Sequence, residues 1–212
     1  MSNETNLSFI HRFEPGTDAG QPPLLLLHGT GGDETDLLPL GRSLAPGAAL
    51  VSPRGRVLEN GMPRFFRRLA EGVFDEADLR QRTGELADFV EGARAAYDLP
   101  APIAIGFSNG ANIAAAMLML RPEVLAGAVL LRAMVPLATP PAVDLAGKPV
   151  LLLSGMADPI VPEENARRLA DQLHQAGAEV EHAVLPAGHG LGQADLTRIA
   201  AWLRSQRLPA AA

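Results

Sequence analysis

The stretch Ile103-Ala104-Ile105-Gly106-Phe107-Ser108-Asn109-Gly110-Ala111 joins a short apolar run to an alanine-rich helical segment through Gly-x-Ser-x-Gly. Three fixed letters arise by chance in roughly 0.07 of chains this long, so the letters alone decide little. Their setting decides more. A strand, a tight turn and a helix in succession expose the Ser108 hydroxyl at the C-terminal edge of a sheet, beside a helix N-terminus. Such a turn leaves no room for side chains at Gly106 and Gly110. The plain alternative is a serine that caps a helix at an ordinary turn.

Outward from this stretch, short unbroken apolar runs alternate with amphipathic segments. The runs Leu24 to Leu27, Ala48 to Val51, Ile103 to Ile105, Gly127 to Leu131, Val150 to Leu153 and Val180 to Leu185 are candidate strands. Continuous rather than alternating hydrophobicity is the mark of strands buried on both faces. Helical patterns fall at roughly Asp36 to Ala45, Glu76 to Tyr97, Asn109 to Leu120, Pro162 to Ala176 and Gln193 to Gln206. The spacing fits right-handed βαβ crossovers, and hence an α/β fold. With an antiparallel edge strand near Leu7 to Phe13, the sheet has about seven strands, mostly parallel, between helices on both faces. No stretch reads as a linker, so residues 1–212 are expected to form a single domain whose C-terminal Pro209 to Ala212 frays.

Composition narrows the function. Hydrophobic residues make up 47% of the 212 and charged residues 20%, as in a folded globular chain. The net charge of −6 and the lack of a basic stripe argue against nucleic acid as a partner. There is no cysteine, so disulfides, thiolate metal sites and cysteine nucleophiles are excluded. No close His/Asp/Glu cluster has ligand spacing, and neither a metal nor a cofactor is expected. The N-terminal residues lack a basic and apolar leader pattern, and Ile113 to Leu120 is too short to span a bilayer. A cytoplasmic protein without integral membrane association is the expectation.

A serine hydroxyl is a poor nucleophile near neutrality, so a reactive Ser108 calls for a histidine base and a carboxylate to orient it. Asp158, in Gly155-Met156-Ala157-Asp158-Pro159, follows the strand Val150 to Leu153. His189, in Gly188-His189-Gly190, follows the last strand. Both leave the same sheet edge as Ser108, where ligands bind in parallel sheets. His182 lies within a strand pattern, His174 and Asp171 within a helix, His11 before the first parallel strand, and Asp144 at the opposite edge. Only Asp158 and His189 complete the chain order Ser, Asp, His. Taken singly, Asp158 has a plain alternative as a turn residue bonded to its own backbone.

A fourth element, Leu27-His28-Gly29-Thr30-Gly31-Gly32-Asp33, is a strand ending in a glycine-rich loop. It lacks the Lys-Ser/Thr ending of a phosphate loop. Backbone N–H groups held in such a loop suit the charge that develops on a carbonyl oxygen in acyl transfer. The expected donors are the N–H groups of Thr30 and Asn109, with His28 fixing the loop.

Together, His28 to Gly32, Gly106 to Ala111, Gly155 to Pro159 and Gly188 to Gly190 resemble the α/β-hydrolase superfamily. More narrowly, they resemble its phospholipase/carboxylesterase branch, which includes small bacterial carboxylesterases and acyl-protein thioesterases. The resemblance covers about Leu24 to Leu203. It implies Ser108, Asp158 and His189 as the catalytic triad, Thr30 and Asn109 as oxyanion donors, and hydrolysis of a small-molecule ester. Acyl-protein thioesterases usually carry glutamine where Asn109 stands, which favours small to medium esters over lipidated proteins, with thioesters and lysophospholipids as further candidates. The alternatives are a non-catalytic binding protein on the same fold, acyl transfer to another acceptor, or carbon-carbon bond hydrolysis. A homodimer is left open.

The segment Arg54 to Arg68 follows a strand that reaches the site edge, and it holds five arginines and the pair Phe65-Phe66. One reading makes it a short cap in which Phe65 or Phe66 lines the substrate pocket and Arg64 contacts a polar group, with Met134 and Val135 as the opposite wall. The other pairs the arginines with Glu71, Asp75, Glu76 and Asp78, and anchors the phenylalanines in the core.

Overall fold

The computed structural model describes residues 7–206; the expected fraying at Pro209 to Ala212 lies outside them. The elements run β1 (His11–Glu14), β2 (Leu24–Leu27), α1 (Leu38–Leu44), β3 (Leu50–Pro53), β4 (Val57–Glu59), β5 (Met62–Arg64), β6 (Arg68–Ala70), β7 (Val73–Phe74) and α2 (Glu76–Tyr97). They continue with β8 (Ile103–Phe107), α3 (Asn109–Leu120), a 3-10 turn (Pro122–Val124), β9 (Gly127–Leu131), β10 (Pro149–Gly155), α4 (Glu163–Gln175), β11 (Glu179–Leu185) and α5 (Gln193–Ser205). Seven strands form the central sheet in the order β1-β3-β2-β8-β9-β10-β11. Its β1 edge is antiparallel to β3 and every other pairing is parallel.

Alternation along β2 shows how the sheet is covered. Leu25 and Leu27 join the layer built with residues of α2, α3 and α4, whereas Leu24 and Leu26 face the layer of α1 and α5. All four are 0% exposed, so the run is apolar because both faces are covered. The alanines of α3 have the same cause. Every residue from Asn109 to Met119 is buried, and small side chains let the helix lie close to the sheet. The first strand is shorter than the expected Leu7 to Phe13 and begins at His11.

Two hairpins fill the space between β3 and α2. The first, β4 with β5, turns through Asn60 (φ 52°) and Gly61 (φ 81°), both left-handed as a tight two-residue hairpin turn requires. The second, β6 with β7, turns at Gly72. Among the described residues no helix is long and apolar enough to cross a membrane.

Candidate active site

The site is built where four strand ends meet. Between β8 and α3 the chain reverses so tightly that a Cβ on Gly106 would lie 2.5 Å from the Gly110 carbonyl oxygen. One on Gly110 would lie 2.0 Å from the Leu27 oxygen. Only glycine fits at either position. Ser108, between them, takes φ 52° and ψ −111°, an uncommon conformation for a side-chain-bearing residue. Its N–H donates to Leu131 O at 2.8 Å, which ties the turn to the end of β9.

Ser108 stands at the N-cap position of α3, yet its side chain makes no capping bond. Its hydroxyl instead lies 3.0 Å from His189 Nε2. On the far side of the ring, His189 Nδ1 lies 2.9 Å from Asp158 Oδ2. Asp158 uses its other oxygen, Oδ1, to accept from the N–H groups of Ile160 at 2.8 Å and Val161 at 3.1 Å. The aspartate is thus a turn residue and a partner of histidine at once. Burial raises the Asp158 carboxyl, but the Ile160, His189 and Val161 hydrogen bonds together outweigh it and leave the group below its ordinary range. A charged carboxylate facing Nδ1 favours the tautomer that leaves Nε2 free to accept from a hydroxyl.

The glycine-rich loop after β2 closes the site from the other side. His28 is 1% exposed, and burial lowers its pKa. The Gly55 N–H donates to its Nε2 at 2.9 Å, so Nδ1 carries the proton and donates to Gly29 O at 2.7 Å. Gly31 N–H donates to Pro63 O and Gly32 N–H to Gly29 O. The N–H groups of Thr30 and Asn109 have no partner among the described residues, and both residues line one cavity with Ser108 and His189. Two free donors beside a hydroxyl paired with histidine can receive an oxygen that acquires negative charge.

The two readings of the Arg54 to Arg68 segment divide by residue. Phe65 and Phe66 are 2% and 0% exposed and lie outside the cavity lining. Phe65 packs its ring 4.7 Å from His28, and Phe66 meets Phe74 edge-on at 5.1 Å. The expectation that they form a substrate wall is therefore corrected: an aromatic ring following a strand end is drawn into the core by the apolar area it removes from water. Arg64 does line the cavity, as does Met134, whereas Val135 does not. The arginine partners also differ from those expected. Arg54 pairs with Glu34, Arg56 with Glu85, Arg64 and Arg68 share Glu59, and only Arg67 takes a forecast partner, Asp75.

Sequence reasoning passed over two features. The Asn60-Gly61 pair is itself a hairpin signal and was available to find β4 and β5. The pairing of Arg132, at the head of the Met134 and Val135 segment, with Asp195 had no local signal. Arg132 is 0% exposed and forks onto Asp195, whose Oδ2 also accepts the Gly192 N–H. Its remaining N–H groups reach the carbonyls of Gly188 and Gly190, on either side of His189, and that of Leu153.

A mostly parallel sheet with a strained serine turn after one central strand, and a histidine and an aspartate delivered from later strand ends, defines an α/β-hydrolase fold. The sequence profile of the phospholipase/carboxylesterase family matches residues 10–206, and the chain belongs to that family. It is similar to the putative hydrolase MhqD of Bacillus subtilis (strain 168), at 46% identity over 196 residues, 92% of this chain and 97% of the relative. Among solved structures it is similar to the Bacillus cereus carboxylesterase, at 45% identity and TM-score 0.92, covering 95% of this chain and 96% of that one. It is also similar to YahD, solved with malic acid, at 33% identity and TM-score 0.87 over 93% and 98% of the two chains.

Proposed function

We propose that this hydrolase is a serine carboxylesterase that cleaves small to medium carboxylic esters through an acyl-enzyme intermediate. One observation carries the reading: Ser108 Oγ, His189 and Asp158 form a continuous chain at 3.0 and 2.9 Å. His189 Nε2 takes the hydroxyl proton as Ser108 Oγ attacks the ester carbonyl. The N–H groups of Thr30 and Asn109 hold the oxygen that becomes negative. The intermediate collapses, the alkoxide leaves with the proton from His189, and the acyl group remains on Ser108. Water then repeats the sequence, giving up a proton to His189, and releases the acid. Asp158 orients the ring and offsets the positive charge it acquires.

The cycle transfers only protons and an acyl group, so it needs no metal or redox cofactor. The cavity, of about 300 Å³, favours compact substrates. The similarity to a Bacillus cereus carboxylesterase supports ester cleavage, and the malic acid in the YahD structure is consistent with small polar ligands.

The test is covalent labelling. The folded protein incubated with a fluorophosphonate should gain one adduct, mapped by mass spectrometry to Ser108. Absence of labelling in folded protein sinks the reading and favours a binding role on the same fold.

A further inference from the structure

Arg64 and Arg68 line the same cavity as Ser108 and His189, and their charge exceeds what their partners neutralise. The Arg64 side chain is only 4% exposed. Its Nε donates to Phe66 O at 3.2 Å, and its Nη1 donates to Thr30 Oγ1 at 2.7 Å and lies 3.0 Å from Glu59 Oε2. Its Nη2 has no partner among the described residues and is not sealed from the cavity that Arg64 lines. Arg68 uses only Nε, toward Glu59 Oε1 at 2.9 Å, and both of its terminal nitrogens are without a partner among the described residues. One carboxylate thus serves two guanidiniums. The third arginine of the lining, Arg132, is matched by Asp195, and Asp158 faces His189, so neither carboxylate offsets the pair. Glu71 is the remaining acidic residue of the lining, and it is exposed on the hairpin turn, where water screens it.

From this we propose that the cavity contains an anion subsite formed by Arg64 Nη2 and the terminal nitrogens of Arg68, and that the preferred substrate is an ester bearing a free carboxylate, such as a short dicarboxylic hemiester. The inference rests on the esterase reading above. Arg64 bonds the Thr30 side chain, so the subsite adjoins the loop assigned to hold the carbonyl oxygen. A carboxylate a few carbons from the scissile ester meets guanidinium N–H groups while that ester carbonyl meets Ser108. Neutral esters of equal length leave those donors unpaired in a cavity from which they displace water. Hydrolysis of the methyl hemiester adds one water across the ester bond and yields methanol and the dicarboxylate. The dicarboxylate keeps its hold on the arginines, so it should also inhibit.

The experiment compares monomethyl glutarate with methyl valerate, equal in acyl length, by titrating released acid at constant pH. We expect kcat/KM to favour the hemiester by at least about tenfold, in line with a charge-assisted hydrogen bond. In Arg68→Gln, which alters a side chain held by its ion pair with Glu59, that ratio should fall at least about fivefold. Binding is read separately on Ser108→Ala, where glutarate should raise the melting temperature and methyl valerate should not. Equal kcat/KM for the two esters, an unchanged ratio in Arg68→Gln, or a shift with inorganic phosphate but none with glutarate each overturns the proposal. Cleavage of neither ester while glutarate still stabilises Ser108→Ala would instead fault the esterase reading and leave the subsite standing.

Discussion

Arg132 forks over both carboxylate oxygens of Asp195, at 2.8 and 3.0 Å, with the two side chains 0% and 1% exposed. Sixty-three residues separate them in the chain. All five guanidinium N–H groups are occupied, because Arg132 also holds the carbonyls of Gly188, Gly190 and Leu153. The pair therefore anchors the loop that carries His189 from within the fold.

Breaking one side of a buried ion pair leaves an uncompensated charge. Arg132→Met should destabilise the fold by about 3 to 5 kcal/mol, whereas Arg132→Met combined with Asp195→Leu should regain much of that loss. The double variant should still be slow, because nothing then fixes the carbonyls beside His189. Denaturant melts and ester turnover on both variants check this; full activity in the double variant would refute the anchoring role.

Ser108→Ala should remove nearly all turnover, on the order of a millionfold, with little change in stability. Asp158→Asn should lower kcat on the order of 10⁴-fold, since an amide facing His189 Nδ1 admits the wrong tautomer. Single-turnover assays on folded variants measure both, and residual activity within tenfold of the parent in either would contradict the assignment.

Phe65→Ala should act on stability rather than on ester choice. Its ring is buried against His28, and its N–H donates to Asn109 Oδ1 at 2.7 Å. Truncation should cost about 3 to 5 kcal/mol. Thermal melts together with kcat/KM for a C2 and a C8 ester separate the two effects. A change in that ratio greater than about tenfold, with an unaltered melt, would return Phe65 to the substrate wall.

Stability should decline in mild acid because of His28. Burial lowers its folded pKa, and its Nε2 must stay unprotonated to accept the Gly55 N–H. The unfolded imidazole takes up its proton near about 6.5, so the folded state is fully favoured above that pH and loses ground as pH falls below it, by at most about 1.4 kcal/mol per pH unit. Burial lowers the His182 pKa too, and the two contributions have the same sign. Melting temperatures at pH 7.5 and 5.5 should differ less in His28→Gln than in the parent. Equal slopes would rule His28 out as a source.

Local chemistry made much of the fold and site legible. Leu24 to Leu27 reads as a strand because a fully covered strand admits only apolar side chains. Gly106 and Gly110 mark the sharp turn because neighbouring backbone occupies the space of a Cβ. The order Ser108, Asp158, His189 follows from three loops leaving one edge of a parallel sheet. These rules act over a few residues or one crossover, and a linear reading applies them directly.

Tertiary packing decided the rest. Phe65 and Phe66 looked as much like a pocket wall as a core anchor until His28 and Phe74 were seen to cover them. Nothing near Arg132 in the chain announces Asp195, and nothing near Arg64 and Arg68 announces that they line one cavity with Ser108. An ion pair or a cavity depends on distances between segments far apart in sequence, and those distances exist only once the sheet has assembled. The sequence by itself therefore determined the strands of the parallel sheet, the serine turn and the chain order of Ser108, Asp158 and His189; the folded structure decided which arginines are neutralised inside it and which are left facing the cavity.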